Sequence, residues 1–255
     1  MENAVLIGLS RQMILHREME VVANNIANLN TTGFKADNAI FEEYLMPGAS
    51  ADQFARPDRR LSFVQDRSTW HDLSQGPVER TGNPLDIAID GQGFLVVQTP
   101  RGERYTRNGA LQINSAGELV TNEGFRVVGD AGPIQLQAQD ADVMISKEGV
   151  ITVRAGAGAT TDQIRGKLRL VDFQSAQQLR KDGSSTFAAL NGVTPTPVQT
   201  PRLVQGAIEK SNVRSVLEMT RMIEVTRNYT QVAGILQNQS DMRRSAIEKL
   251  ADVPA

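Results

Sequence analysis

Ala23-Asn24-Asn25-Ile26-Ala27-Asn28-Leu29-Asn30-Thr31-Thr32-Gly33-Phe34-Lys35-Ala36 closes an N-terminal segment that otherwise reads as helix. Its asparagines and threonines weaken a helix, because their side chains compete for backbone hydrogen bonds. Gly33 then accepts a positive φ at no steric cost, so the local reading is a helix stop followed by a turn. Upstream, Val5, Leu9, Met19, Ala23 and Ile26 recur at helical steps, with His16 on the same line and Ile7, Ile14 and Val21 spaced by seven beside them. This predicts a helix from Ala4 to about Leu29, about 39 Å long at 1.5 Å per residue. Apolar character on more than one face predicts partners on more than one side.

Working outward, residues 34–80 lose this pattern. Ile40, Phe41, Tyr44 and Leu45 are followed by Pro47, Pro57 and Pro77 and isolated Phe54, Phe63 and Trp70. The segment is expected to be an extended connecting arm. From Asp86 the period becomes two, with Phe94-Leu95-Val96-Val97 reading as a buried strand and Asn108-Gly109, Ser115-Ala116-Gly117 and Asn122-Glu123-Gly124 as turns between short β-prone runs. Residues 81–193 are therefore expected to be a central all-β domain of barrel or sandwich type, with an ill-defined tail from Gln174 to Val193.

Pro195, Pro197 and Pro201 mark residues 194–210 as a return linker. Helical signals resume in residues 211–255, where Ser215 and Glu218 have the spacing of a capping box. Met222, Val225, Tyr229, Val232 and Leu236 form a heptad seam, and Val216, Met219, Ile223, Thr226, Thr230 and Ala233 form a second one on the adjacent face. The fold class is thus α+β: terminal helices (residues 1–33 and 211–255) forming a coiled-coil-type domain, with the β domain inserted between them. The assembly residues are Val5, Leu9, Met19, Ile26, Met222, Val225, Tyr229, Val232 and Leu236; Asn30, Gly33 and Phe34 form the hinge.

Composition excludes several functions. The 255 residues carry 27 Lys plus Arg against 29 Asp plus Glu, and the short basic groups make no stripe, so nucleic acid is not an expected partner. With no cysteine and only two histidines, His16 and His71, the usual nucleophile and base pairs are missing. Gly91-Gln92-Gly93 is too short for a dinucleotide loop. Asp86 and Asp90 share a strand face but are read as flanking a turn; Asp140 and Asp142 alone make a weak cation site. No catalytic, cofactor or metal site and no small-molecule substrate is expected. No run spans a bilayer, and the N-terminus lacks the features of a cleaved signal peptide, so no membrane insertion is expected.

Three stretches together resemble the bacterial flagellar rod and hook axial proteins: Ala23 to Lys35; Thr81-Gly82-Asn83-Pro84-Leu85-Asp86-Ile87-Ala88-Ile89-Asp90-Gly91-Gln92-Gly93-Phe94 with Tyr105-Thr106-Arg107-Asn108-Gly109; and Ser211-Asn212-Val213 with Met222-Ile223-Glu224. The length argues against the hook member, and the opening Met1 to Gln12 with Glu42-Glu43-Tyr44-Leu45 resembles the proximal-rod form more than the distal-rod form. The resemblance implies a structural subunit of the periplasmic rod of the basal body, exported through the flagellar type III apparatus. Its implied partners are other rod proteins and copies of itself, with the terminal helices as an inner tube and the β domain as an outer layer. A competing reading from another class is a periplasmic or surface binding module oligomerised by its helical ends. That reading predicts a discrete closed oligomer, whereas a rod requires a heterologous interface that does not close into a dimer.

Overall fold

The computed structural model describes residues 2–46, 61–137, 140–155, 161–190 and 192–251. An N-terminal helix, α1 (Glu2–Ala27), and a C-terminal helix, α2 (Ser215–Ala251), bracket a run of strands, which makes the chain α+β. It divides into two compact units. Unit 1 holds residues 1–26, 37–70 and 214–255; unit 2 holds residues 27–36 and 71–213.

In unit 1, α1 buries Ile14, Leu15, Val21 and Val22. These fall in two lines of seven-residue spacing, as a seam along one side of a helix requires. Asn25 is also fully buried, and its amide is satisfied on both sides by one residue: Nδ2 donates to the Asp37 carbonyl at 2.8 Å and Oδ1 accepts the Asp37 N–H at 2.9 Å. The helix is thereby tied to the first residue of strand Asp37–Met46, which pairs with strand Leu61–His71. This ribbon occupies part of the stretch expected to be an arm without regular structure; Ile40-Phe41 and Tyr44-Leu45 come in adjacent pairs, so no period of two announces it. Phe54 lies outside the described residues. Arg221 of α2 bonds Glu18 through Nε at 3.0 Å and Asn38 through Nη1 at 3.2 Å, and a Cβ built on Gly8 would lie 2.7 Å from Leu236 Cδ2. These contacts join α1, α2 and the ribbon.

Helix α2 starts one residue differently from expectation. Arg214 O accepts the Glu218 N–H at 3.0 Å, so Arg214 holds the cap position and Ser215 is the first helical residue. The capping box expected from Ser215 and Glu218 does not form; Glu218 Oε2 is buried without a hydrogen-bond partner among the described residues.

Unit 2 is built around strand Phe94–Thr99, which pairs antiparallel with Gly102–Thr106, Arg126–Gly129 and Leu170–Asp172. Alternation sends its side chains to opposite faces. Leu95 and Val97 join a core with Ile87, Leu119, Val127 and Ile151, whereas Phe94 and Val96 join one with Tyr105, Phe173 and Phe187. Both faces are covered, which is why four consecutive apolar residues occur here. The large sheet runs from Leu179–Lys181 at one end to Leu111–Ile113 at the other, so it is open, and the described strands do not close the barrel that the sequence allowed.

The segment expected to be an ill-defined tail also folds. Thr186–Ala189 pairs with Gly102–Thr106 in the register Phe187↔Tyr105, because Leu179 and Phe187 fill the aromatic core. The return segment does the same: Thr196–Pro197 takes an edge, as proline requires, and then Leu203–Gln205 pairs with Ile87–Ile89 and Ala207–Glu209 with Val78–Arg80. None of the described helices is long and apolar enough to cross a membrane.

Candidate functional site

The turn after α1 leads into a densely bonded polar cluster of unit 2. Gly33 has φ +69° and its N–H donates to Glu209 O at 2.8 Å; a Cβ at this position would stand 2.4 Å from both Arg107 C and Asn108 N. Glycine is required here twice, for the left-handed φ and for the close approach of the two backbones.

Phe34 and Lys35 follow, both fully buried. Lys181 Nζ sits 3.6 Å from the centroid of the Phe34 ring and donates to Lys35 O at 3.0 Å, a cation held over an aromatic face. Lys35 Nζ donates to Glu209 Oε1 at 2.5 Å and to Ser74 O at 2.6 Å. Arg107 Nη1 reaches Glu209 Oε2 at 3.2 Å, and Gly76 N–H donates to Glu209 Oε1 at 2.9 Å. Asn212 closes the cluster: its Oδ1 accepts the Ala36 N–H at 2.8 Å and its Nδ2 donates to Asp72 O at 2.8 Å.

Two cations therefore share one carboxylate away from the solvent-exposed surface, the side chains of Lys35 and Glu209 being fully buried and that of Arg107 only 4% exposed. Burial lowers the pKa of Lys35, opposed by the charge of Glu209, and burial likewise lowers that of Arg107. The guanidinium also lies 5.3 Å from the Phe94 ring centroid. The arrangement locks together segments 33–36, 72–76, 106–109 and 209–212, and removing Glu209 leaves two buried cations without their bonded counter-ion, at a cost of about 3–5 kcal/mol.

Of the residues singled out from sequence, Gly33 and Phe34 fall in this cluster, and Asn30 lies exposed in the turn before it. The others belong to unit 1. Val225 is buried, Met222, Tyr229, Val232, Leu236, Val5, Met19 and Ile26 are half-buried, and Leu9 is exposed. Lys35, Arg107 and Asn212 stand inside the quoted motifs without a role having been read for them; Ser74, Gly76, Lys181 and Glu209 were missed. A signal for Glu209 exists: in Ala207-Ile208-Glu209 it shares the buried phase of an alternating strand with Ala207. A charge at such a position implies a buried partner of opposite sign.

Of the carboxylates weighed as chemical groups, Asp86, Asp140 and Asp142 are engaged structurally and Asp90 is exposed. Asp86 accepts from Thr81 Oγ1 at 2.6 Å and Asn83 Nδ2 at 3.0 Å, bracing the turn before strand Ile87–Ile89. Asp140 takes a two-pronged bond from Arg165 at 2.8 and 2.5 Å, and Asp142 pairs with Arg154 at 3.2 Å. His16 is exposed beside Glu20, and buried His71 meets the Phe187 ring edge-on at 5.8 Å. Among the described residues no group of three or more His, Asp or Glu side chains is placed to hold a metal.

The Arg165 guanidinium holds the Asp140 carboxyl below its ordinary 3.8, and Arg104, with Arg101, does so for Asp182. Because both folded values are depressed, the unfolded chain takes up protons first as pH falls. Their stabilisation is complete above the unfolded value and is lost as pH drops through the folded one. The double variant Asp140→Asn/Asp182→Asn is thus expected to unfold at lower urea concentration than the unmodified chain near neutral pH. That gap should narrow as pH falls below the unfolded value and through the depressed folded ones; denaturation curves near neutral pH and at successively lower pH check it.

Three family models match the chain: "Flagella basal body rod protein" over residues 6–35, "Flagellar hook protein FlgE/F/G D1 domain" over residues 88–153, and "Flagellar basal body rod FlgEFG protein C-terminal" over residues 204–249. Each matched segment contributes one charge to the cluster: Lys35, Arg107 and Glu209 in turn. Among curated relatives, the flagellar basal-body rod protein FlgF of Caulobacter vibrioides is 38% identical, with 99% of this chain and 100% of the relative covered. The protein of the same name from Escherichia coli is 32% identical over 94% of this chain and 95% of its own length. A flagellar basal-body rod protein FlgG from Buchnera aphidicola is 35% identical over 92% of this chain and 94% of its own length. With identity of this level running through both lengths, the chain belongs to the family of flagellar basal-body rod proteins.

Proposed function

We propose that this chain is a structural subunit of the flagellar basal-body rod, most similar to the proximal-rod form, with no catalytic role. It reaches its place through the flagellar export apparatus and polymerises through its terminal helices with copies of itself and with other rod proteins. In this reading α1 and α2 form a coiled-coil-type domain lining the axial tube. Residues 81–193 form the central part of its β domain, residues 34–80 and 194–210 run between it and the helices while adding strands of their own, and Asn30, Gly33 and Phe34 are the hinge. The full-length identity to FlgF favours the proximal form; the FlgG relative supports the distal form as the second reading.

The observation that carries the reading is that α2 has one seam partly covered and one open, Met222, Tyr229, Val232 and Leu236 of the first being half-buried. Val225 is buried, whereas Val216, Met219 and Ile223 of the second seam are 75%, 52% and 61% exposed. Leu6, Leu9 and Met13 of α1 are exposed as well. Covering one such side chain contributes about 1.5–3 kcal/mol, so neighbours in a lattice gain much from this surface. Met222→Asp and Val225→Asp place a charge in the covered seam and are expected to remove the protein from basal bodies, because an unpaired buried charge must be desolvated. Quantitative mass spectrometry of purified basal bodies tests this: loss of the variants supports the reading, and wild-type levels overturn the seam assignment. A discrete closed oligomer of the purified chain would instead favour a binding module.

A further inference from the structure

The charge cluster has its members far apart along the chain. Lys35 and Arg107 come early, and among the described residues the carboxylate bonded to both is Glu209, 174 residues after the first and 102 after the second. Docking of Gly33 against the Arg107 and Asn108 backbone brings the two cations into the same water-poor place, where each is disfavoured by burial and Lys35 additionally by the charge of Arg107. Asp72 and Asp172 carry opposite charge nearby, but the Asp72 carboxylate accepts the Ser74 N–H and that of Asp172 the Phe173 N–H. Strand Ala207–Glu209, held on Val78–Arg80 by the register Glu209↔Val78, delivers the carboxylate that bonds both cations, beyond the opposite charge that Asp72 places near Lys35 and Asp172 near Arg107.

We propose that Glu209 is a completion gate for the folding of unit 2: the segments bearing Lys35 and Arg107 dock stably only once strand Ala207–Glu209 has arrived. Like charges without a hydrogen-bonded counter-ion in a low-dielectric site oppose the earlier docking, and the Glu209 carboxylate removes that opposition. An incomplete chain that ends before residue 209 therefore remains open at this place, and a complete one closes in a single step. The inference rests on the geometry of unit 2 alone and stands or falls independently of the rod reading.

Pulsed hydrogen exchange during refolding of the full chain from urea tests it. The reporters are the Asp72 N–H, which bonds Ala36 O, the Ile87 N–H, which bonds Gly109 O, and the Lys210 N–H, which bonds Pro77 O beside the last strand. In the unmodified chain all three should gain protection in one kinetic step. In the apolar triple variant Lys35→Met/Arg107→Met/Glu209→Leu, the Asp72 and Ile87 amides should become protected about tenfold or more before that of Lys210, since no charge now opposes early docking. Joint protection in both proteins, or stepwise protection in both, overturns the proposal. If the triple variant does not fold, Glu209→Gln decides: the gate predicts that its destabilisation appears mainly as slower folding, and destabilisation carried by faster unfolding overturns it.

Discussion

Gly33→Val should unfold the edge of unit 2 at which the chain enters it, and a strain carrying the variant should assemble no functional rod. Two costs add. A β-branched residue at φ +69° is strained by roughly 1–3 kcal/mol. Its Cβ also meets Arg107 C and Asn108 N at 2.4 Å, which are backbone atoms that cannot rotate away. The turn of Arg107 must therefore retreat, and with it the guanidinium that partners Glu209. The total should be on the order of 4 kcal/mol or more, a large part of the stability of an ordinary domain. Gly82→Ala is the control: Gly82 has φ +76° but nothing within 4 Å of a built Cβ, so it should lose only about 1–2 kcal/mol, the cost of the left-handed φ alone. Urea unfolding followed by near-ultraviolet circular dichroism, together with swimming on soft agar, checks both. If Gly33→Val unfolds at the midpoint of the unmodified chain, the close approach at this residue is not as described.

The second large effect is expected from Glu209→Ala. Its carboxylate holds Lys35 Nζ, Arg107 Nη1 and the Gly76 N–H, and truncation leaves two buried cations and a backbone donor without their partner. The expected loss is about 3–5 kcal/mol. Glu209→Gln, which keeps the shape and one acceptor, should lose less. The apolar triple variant should lose less than Glu209→Ala although it changes three residues, because it buries no unpaired charge. Denaturation midpoints of the three proteins rank them; a Glu209→Ala midpoint equal to that of the unmodified chain would mean that the cluster contributes nothing.

Much of the architecture is legible from short-range patterns. The stop after Ala27, the two terminal helices and the buried strand beginning at Phe94 follow from periodicity and from the asparagine- and glycine-bearing turn. The ribbon of Asp37–Met46 and Leu61–His71 is not legible, since Ile40-Phe41 and Tyr44-Leu45 pair up instead of alternating. Strand Thr186–Ala189 is hidden for another reason: Thr186, Phe187 and Ala188 are all buried, so both of its faces are covered and the sequence carries no contrast. The return segment looks like a linker because of its prolines, yet only Thr196–Pro197 uses them, at an edge, while Leu203–Gln205 and Ala207–Glu209 complete sheets. The cluster is the least legible part. Lys35, Arg107 and Glu209 are ordinary surface residue types in isolation, and only long-range pairing makes them interior ones. Asn25 and Asn212 illustrate the middle case: their motif positions are visible, but the backbone groups they satisfy, at Asp37, Ala36 and Asp72, belong to segments remote in sequence.

The central claim, that this chain is a rod subunit built in through its terminal helices, is tested most directly by where the native protein sits. Basal bodies purified from cells expressing the chain should contain it in a fixed ratio to the other rod proteins, and cryo-electron microscopy should locate it in the proximal rod with α1 and α2 packed against neighbouring subunits. Its absence from intact basal bodies, or density in which the terminal helices make no contact with neighbours, would contradict the account.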